Sequence, residues 1–178
     1  MWVGYLLISP VRGWFQNPRK ILSPYVREGM KVLDVGCGMG FFSLPLAEMV
    51  GPEGKVICVD VQEGMIKVLR KRAEKANLSS RIEARLCTPH SLGIDDLQGE
   101  IDFILAFAVV HEVPHPSKAI SELTGAMKKG GSLLLVEPKG HVSEEEFKGY
   151  LSLAQENSLR EIGRPKIRRG FSALLQKP

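Results

Sequence analysis

The sequence predicts an α/β fold: a doubly wound, mostly parallel sheet covered by helices on both faces and finished by an antiparallel hairpin. Three features predict it. Short β-branched runs alternate with longer stretches of helical spacing, as repeated βαβ units require. A glycine-rich loop joins the first run to the first helical stretch. After Pro138 the pattern changes, and the last two apolar segments lie too close together for a helical crossover.

In chain order, strands are predicted at Lys31 to Val35, Lys55 to Asp60, Arg81 to Cys87, Ile101 to Phe107 and Gly131 to Glu137. Helical spacing fills Phe42 to Val50, Gln62 to Ala76 and Pro116 to Met127. Within Gln62 to Ala76, the apolar Met65, Ile66, Leu69, Ala73 and Ala76 share one face and Lys67, Arg70, Lys71 and Arg72 lie largely on the other, as on a helix lying on a sheet. Gly51-Pro52-Glu53-Gly54 turns the chain before the second strand, and Lys128-Lys129-Gly130-Gly131 stops a helix before the fifth. Ser143 opens a capping box with Glu146, and that helix runs to about Ser158. Leu159 to Ile167 and Phe171 to Gln176 then form the hairpin. Ahead of the first strand, Trp14, Phe15, Ile21, Leu22 and Tyr25 suit one or two short helices, limited by Pro10, Pro18 and Pro24.

A length of 178 residues allows one compact domain, and 44% apolar with 25% charged residues is a globular composition. No apolar run approaches the roughly 20 residues of a membrane span, and the N-terminus lacks the pattern of a signal peptide, so a cytoplasmic protein is expected. Cys37, Cys58 and Cys87 have no C-x-x-C spacing, which predicts reduced, packed thiols and no structural metal. The net charge of +4 is modest, but Arg160, Arg164, Lys166, Arg168, Arg169 and Lys177 face only Glu161 in the tail. Such a stretch is either a solvated edge or a contact for an anionic partner.

VLDVGCGMGFF is the most informative segment: Asp34, Gly36, Gly38 and Gly40 leave a strand and enter a helix. Glycines let the backbone turn sharply and approach a ligand, and a helix N-terminus offers N–H groups to a negative group. The dinucleotide fingerprint G-x-G-x-x-G fails here because Phe41 holds its third glycine position. Asp60, twenty residues past Gly40 at the end of VICVD, is placed to accept hydrogen bonds from both hydroxyls of a ribose.

Taken together, these segments resemble the class I S-adenosylmethionine-dependent methyltransferases over residues 25–178. VLDVGCGMG is similar to the first motif of that family, VICVD to its acidic second, RIEARLCTPHSL to its third, IDFILAFAVVHEV to its fourth and MKKGGSLLLVEP to the segment through its fifth strand. HEVP and LLLVEP are most similar to the ubiquinone and menaquinone biosynthesis group. The resemblance implies a Rossmann-like sheet of seven strands and S-adenosylmethionine as cofactor, with S-adenosylhomocysteine as product. Position by position, it implies that Gly36, Cys37, Gly38 and Gly40 form the cofactor loop and that Asp34 holds it and reaches the cofactor's amino group. Asp60 would bind the ribose, and Val61 and Met65 would pack on the adenine. Thr88, between Cys87 and Pro89, replaces the Asp that commonly meets the adenine amino group, which leaves recognition to backbone groups or the Thr88 hydroxyl. Ala106 and Phe107 would border the sulfonium and its methyl group.

HEVPH, residues 111–115, matches the H-E-x-x-H zinc string, but Pro114 and Pro116 oppose the continuous helix that string needs. His111 is instead a candidate substrate contact or general base, or else a residue that caps or packs its loop. Glu112 is a weaker candidate of the same kind. Methyl transfer is a direct displacement at an activated carbon, so alignment and exclusion of water carry most of the work. The expected acceptor is a small molecule. RNA or a protein, bound through the basic hairpin, is the lesser alternative, and a non-catalytic cofactor-binding subunit completed by a partner is the third. With the domain occupying residues 25–178, only residues 1–24 are left as a short cap over the acceptor.

Overall fold

The structure is a computed structural model that describes residues 17–178. The parts of the expected N-terminal helices that rest on Trp14 and Phe15 lie outside those residues. The chain divides into two compact units, with the boundary between Leu86 and Cys87. Among the described residues seven strands form one mixed sheet, in the order β3 (Ile82–Leu86), β2 (Lys55–Asp60), β1 (Lys31–Val35), β4 (Ile101–Phe107), β5 (Met127–Pro138), β7 (Gly170–Gln176) and β6 (Arg160–Gly163).

In the first unit a short helix, α1 (Pro18–Leu22), starts on an Asn17 cap that accepts from the Lys20 N–H at 3.1 Å. It has Pro18 in its first turn, where a missing N–H costs nothing, and it buries Leu22 completely. Strand β1 (Lys31–Val35) pairs in parallel with β2 (Lys55–Asp60), and β2 with β3 (Ile82–Leu86). Helix α2 (Ser43–Met49) follows β1 and α3 (Glu63–Lys75) follows β2. Ile66, Leu69 and Ala73 are the buried face of α3, while Met65 is half-buried and Ala76 is exposed past its end. Val32, Leu33, Val56, Cys58 and Val59 are fully enclosed, which is why these strands read as near-continuous apolar runs, interrupted within β1 by the buried Asp34, rather than alternating ones.

In the second unit β4 (Ile101–Phe107) pairs in parallel with β5 (Met127–Pro138), and β5 pairs antiparallel with β7 (Gly170–Gln176). Strand β6 (Arg160–Gly163) completes the hairpin against β7. Helices α4 (Pro116–Ala126) and α5 (Glu144–Glu156) flank β5 in the chain. The capping box of α5 is complete: Ser143 Oγ accepts from Glu146 N at 3.1 Å and Glu146 Oε2 accepts from Ser143 N at 2.7 Å.

One expected boundary is corrected. Residues 127–130, read as a helix end and turn, lie within β5: Met127 already pairs with Ile101, and the register slips before Phe103 meets Ser132. Gly130, at φ +77°, absorbs that irregularity inside the strand. In the hairpin, Arg164 makes two hydrogen bonds to Glu161, at 2.6 and 3.0 Å, so part of the tail's positive charge is neutralised locally. Among the described residues no helix is long and apolar enough to cross a membrane.

Candidate active site

The glycine loop of the first unit is built from its own backbone. Gly36 N and Cys37 N both donate to Val59 O, at 2.9 and 3.1 Å, which ties the exit of β1 to the end of β2. Gly38 N donates to Asp60 Oδ2 at 2.8 Å, and Gly40 N to Cys37 O at 3.0 Å. These four N–H groups therefore shape the loop, where the sequence suggested donors aimed at a negative ligand group. Gly36, Gly38 and Gly40 have φ of +67°, +52° and +84°, a region that other residues enter only with strain. A Cβ on Gly40 would meet Leu69 Cδ1 at 2.5 Å, so its hydrogen is a packing requirement between loop and α3. A Cβ on Gly38 would meet nothing within 4 Å, so its side faces open space.

Asp60 is the anchor of this arrangement. Its Oδ1 accepts from Gln62 N and its Oδ2 from Gly38 N, both at 2.8 Å, and the residue is only 8% exposed. Each carboxylate oxygen keeps lone-pair capacity for a further donor. Immediately after it Val61 is 50% exposed, and Leu86, the register partner of Asp60 on β3, is 54% exposed. Asp60 thus has an uncovered apolar residue next to it in the chain and another beside it in register, at the carboxyl ends of β2 and β3, where ligands of open α/β sheets bind. Leu86 was not singled out from the sequence, because an apolar strand end reads as core. Its signal is its place beside Asp60 in parallel register.

Asp34, at 3% exposure, accepts from Ser43 Oγ at 2.5 Å, which fixes the start of α2 to β1. Burial raises its carboxyl to about 7; the Ser43 hydrogen bond opposes this and the charge of Asp60 adds to it. Two carboxylates so near each other in a dry setting favour a cationic group between or beside them. The donor set of the unit, an open glycine, two carboxylates and an apolar shelf, fits a nucleoside bearing an ammonium group. The Cys37 thiol is buried and is pushed up, first by its hydrogen bond with Cys58 and then by burial, so it is packed and unreactive.

The second unit holds a separate polar centre. Phe107 ends β4, and Ala108 takes a left-handed φ of +57° without being glycine while its N–H donates to Val136 O at 2.7 Å. That turn delivers the single turn Val110–Glu112 to the end of β5. There Glu137, fully buried, accepts from Val109 N at 3.3 Å and Val110 N at 2.8 Å through Oε1. Its Oε2 lies 2.5 Å from His111 Nδ1. Burial pushes the Glu137 carboxyl up, against the pull of His111 and of the two backbone donors. Sequence reasoning passed over Glu137; a carboxylate ending the apolar run LLLVE was the available signal, since a buried charge needs partners.

His115 and His111 take different directions. His111 is held by Glu137, whereas His115 is the residue before α4 and its ring lies 5.6 Å from that of His90. The H-E-x-x-H string is therefore broken by Val113–Pro114 and is not a helix-borne pair. Thr88 closes a tight turn, its N–H donating to Ser91 O at 3.1 Å and its Oγ1 accepting from Ser91 N at 3.1 Å, with Pro89 exposed beside it. Ala106 is fully buried and Phe107 is 9% exposed. In the first unit the structure groups Asp34, Gly36, Cys37, Gly38, Gly40, Asp60 and Val61, with Met65 on the first turn of α3; in the second, Ala106 and Phe107 lead into His111.

A sheet of this order, with a glycine loop after β1 and an acidic residue ending β2, defines a nucleoside-binding α/β protein of the methyltransferase type. A methyltransferase-domain family model matches residues 26–166. The chain belongs to the class I S-adenosylmethionine-dependent methyltransferases, whose cofactor is S-adenosylmethionine. It is 31% identical over 128 residues to the ubiquinone/menaquinone biosynthesis C-methyltransferase of Pseudomonas entomophila, covering 70% of this chain and 49% of that protein. It is 28% identical over 124 residues to the demethylmenaquinone methyltransferase of Listeria welshimeri, covering 70% and 50%. The chain thus spans about half the length of the curated relatives it matches. Among solved structures, an S-adenosylmethionine-dependent methyltransferase from Aquifex aeolicus superposes with a TM-score of 0.87 at 26% identity, covering 98% of this chain and 97% of that one.

Proposed function

We propose that residues 25–178 carry a methyltransferase that moves a methyl group from S-adenosylmethionine to a small-molecule acceptor. The observation that carries this reading is Asp60, pinned by two backbone N–H groups beside the open side of Gly38, with exposed Val61 next to it in the chain and exposed Leu86 beside it in register. In this reading the remaining lone pairs of Asp60 take the ribose hydroxyls, Val61, Leu86 and Met65 pack on the adenine, and Thr88 and Pro89 border it. Asp34 receives the ammonium group, and the loop of Gly36, Cys37, Gly38 and Gly40 wraps the methionine portion. Phe107, at the end of β4, borders the methyl-bearing end, and Ala106, expected beside it, is fully enclosed in the strand and only backs that position. When bound, the cofactor supplies an electrophilic methyl carbon on a sulfonium; the chain's own residues orient the acceptor, exclude water and, at His111, receive a proton.

A small acceptor is supported by the activities of the quinone-biosynthesis relatives. The RNA or protein alternative loses support from Arg164, which is already committed to Glu161. Calorimetric titration with S-adenosylmethionine and S-adenosylhomocysteine tests the reading. Binding in the micromolar range is expected, and Asp60→Ala should weaken it about tenfold or more, given roughly 1.5–3 kcal/mol per charge-assisted hydrogen bond. If neither ligand binds the wild-type protein, the proposal fails.

A further inference from the structure

We propose that Glu137 is a positioning residue: it fixes His111 as the Nδ1–H tautomer, leaving Nε2 to take the proton that a hydroxyl or acidic C–H acceptor gives up during methyl transfer. This rests on the methyltransferase reading above and narrows its acceptor to groups that must lose a proton.

Geometry carries the assignment. Three groups converge on the Glu137 carboxyl: Val109 N and Val110 N on Oε1, and His111 Nδ1 on Oε2. Two backbone N–H groups can only donate, so they favour the carboxylate, and a carboxylate oxygen can only accept. The ring proton therefore sits on Nδ1. Nε2 lies 4.0 Å from Glu112 Oε1, beyond hydrogen-bond reach, and the His111 side chain is 16% exposed. The other titratable groups facing the pair are His141, whose ring meets that of His111 edge-on at 5.5 Å, and Tyr150, whose hydroxyl is raised by burial and by the charges of Glu137 and Glu146. A structural cap would need only the backbone contacts. A fully buried carboxylate bonded to a partly exposed imidazole is the arrangement that sets a base's tautomer and stabilises the imidazolium it becomes.

The step balances without a further reagent. The acceptor's proton moves to His111 Nε2, the electron pair left on the acceptor atom forms the bond to the methyl carbon, and the pair of the broken carbon–sulfur bond stays on sulfur. An imidazolium beside a carboxylate and a neutral thioether result.

Glu137→Gln is nearly isosteric and keeps an oxygen for Val109 and Val110, but its amide nitrogen can only donate to Nδ1, which moves the ring proton to Nε2. Long-range nitrogen–proton NMR of the full chain, with and without S-adenosylhomocysteine, should show the Nδ1–H form of His111 in the wild type and the Nε2–H form in Glu137→Gln. With S-adenosylmethionine and either 3,4-dihydroxybenzoate or 1,4-naphthalenediol as acceptor, Glu137→Gln should lower kcat about 100-fold. KM should change less than about threefold, since the lost function is proton transfer and not binding. The acid limb of the pH–rate profile should move down as the imidazolium loses its carboxylate, and Glu137→Asp should restore part of the rate. An Nε2–H tautomer in the wild type, or an unchanged tautomer and rate in Glu137→Gln, overturns the assignment. So does transfer to neither probe, or transfer to benzylamine or thiophenol alone, while S-adenosylmethionine still binds. Failure of the wild type to bind S-adenosylmethionine strikes the parent reading instead, and the tautomer measurement stands apart from it.

Discussion

Asp34→Asn should raise the stability of the free protein at alkaline pH relative to acid pH, because it removes a carboxylate that folding makes hard to ionise. In the fold this carboxyl is raised to about 7 from an ordinary 3.8, chiefly by burial. Between those two values the folded chain holds a proton that the unfolded chain has lost, so the folded state binds more protons and stability falls as pH rises. The full loss is on the order of 4 kcal/mol at about 1.4 kcal/mol per pH step, and about 2–3 kcal/mol of it falls between pH 5 and pH 8. The amide variant has no charge to lose. Its change in unfolding free energy between pH 5 and pH 8 should therefore be about 2–3 kcal/mol more favourable than that of the wild type. Urea unfolding of both proteins at both pH values measures this, with equal slopes on denaturant as the check that the unfolded states match. Glu137 is common to both proteins, and any cost of swapping the Ser43 acceptor for an amide oxygen is common to both pH values, so these cancel. A double difference under about 1 kcal/mol would refute the claim that burial raises the Asp34 carboxyl.

Two further outcomes follow from backbone geometry. Gly38→Ala and Gly40→Ala share a left-handed φ but not their surroundings. Gly38→Ala should cost about 1–2 kcal/mol of stability and sharply weaken S-adenosylmethionine binding, whereas Gly40→Ala should cost more through its clash with Leu69, as thermal unfolding beside calorimetric titration would reveal. Ala108→Gly should stabilise the fold by up to about 1 kcal/mol by relieving its φ of +57°, and a lowered urea midpoint would contradict that.

The strand cores were legible because parallel strands enclosed on both faces are apolar at most positions, as Leu33, Ile57 and Leu105 are, with Asp34 the buried exception in β1. Their ends were less so: nothing local distinguishes residues 127–130 from a helix stop, since their strand character comes from pairing with β4 and with the register slip there. The glycine loop was legible because its φ values restrict residue choice, and Asp60 because of its spacing from that loop at the end of a strand. What the loop's N–H groups bond to was not, since Val59 O becomes available only once β1 and β2 pair. His111 could be named from its motif, but Glu137 lies 26 residues away and meets it only through the β4–β5 register, which sets Phe107 opposite Val136.

The internal bonding of the glycine loop bears on how the protein meets its ligand. Because Gly36, Cys37 and Gly38 are anchored to Val59 and Asp60 by the fold itself, the loop's shape does not depend on a ligand to create it. Little conformational entropy is left to surrender on association, so binding strength can derive mainly from contacts rather than from ordering the receptor. The same anchoring sets a limit under the proposed function: a ligand whose sugar or methionine portion departs from that outline meets a loop already bonded to its own sheet, and discrimination is built into the fold.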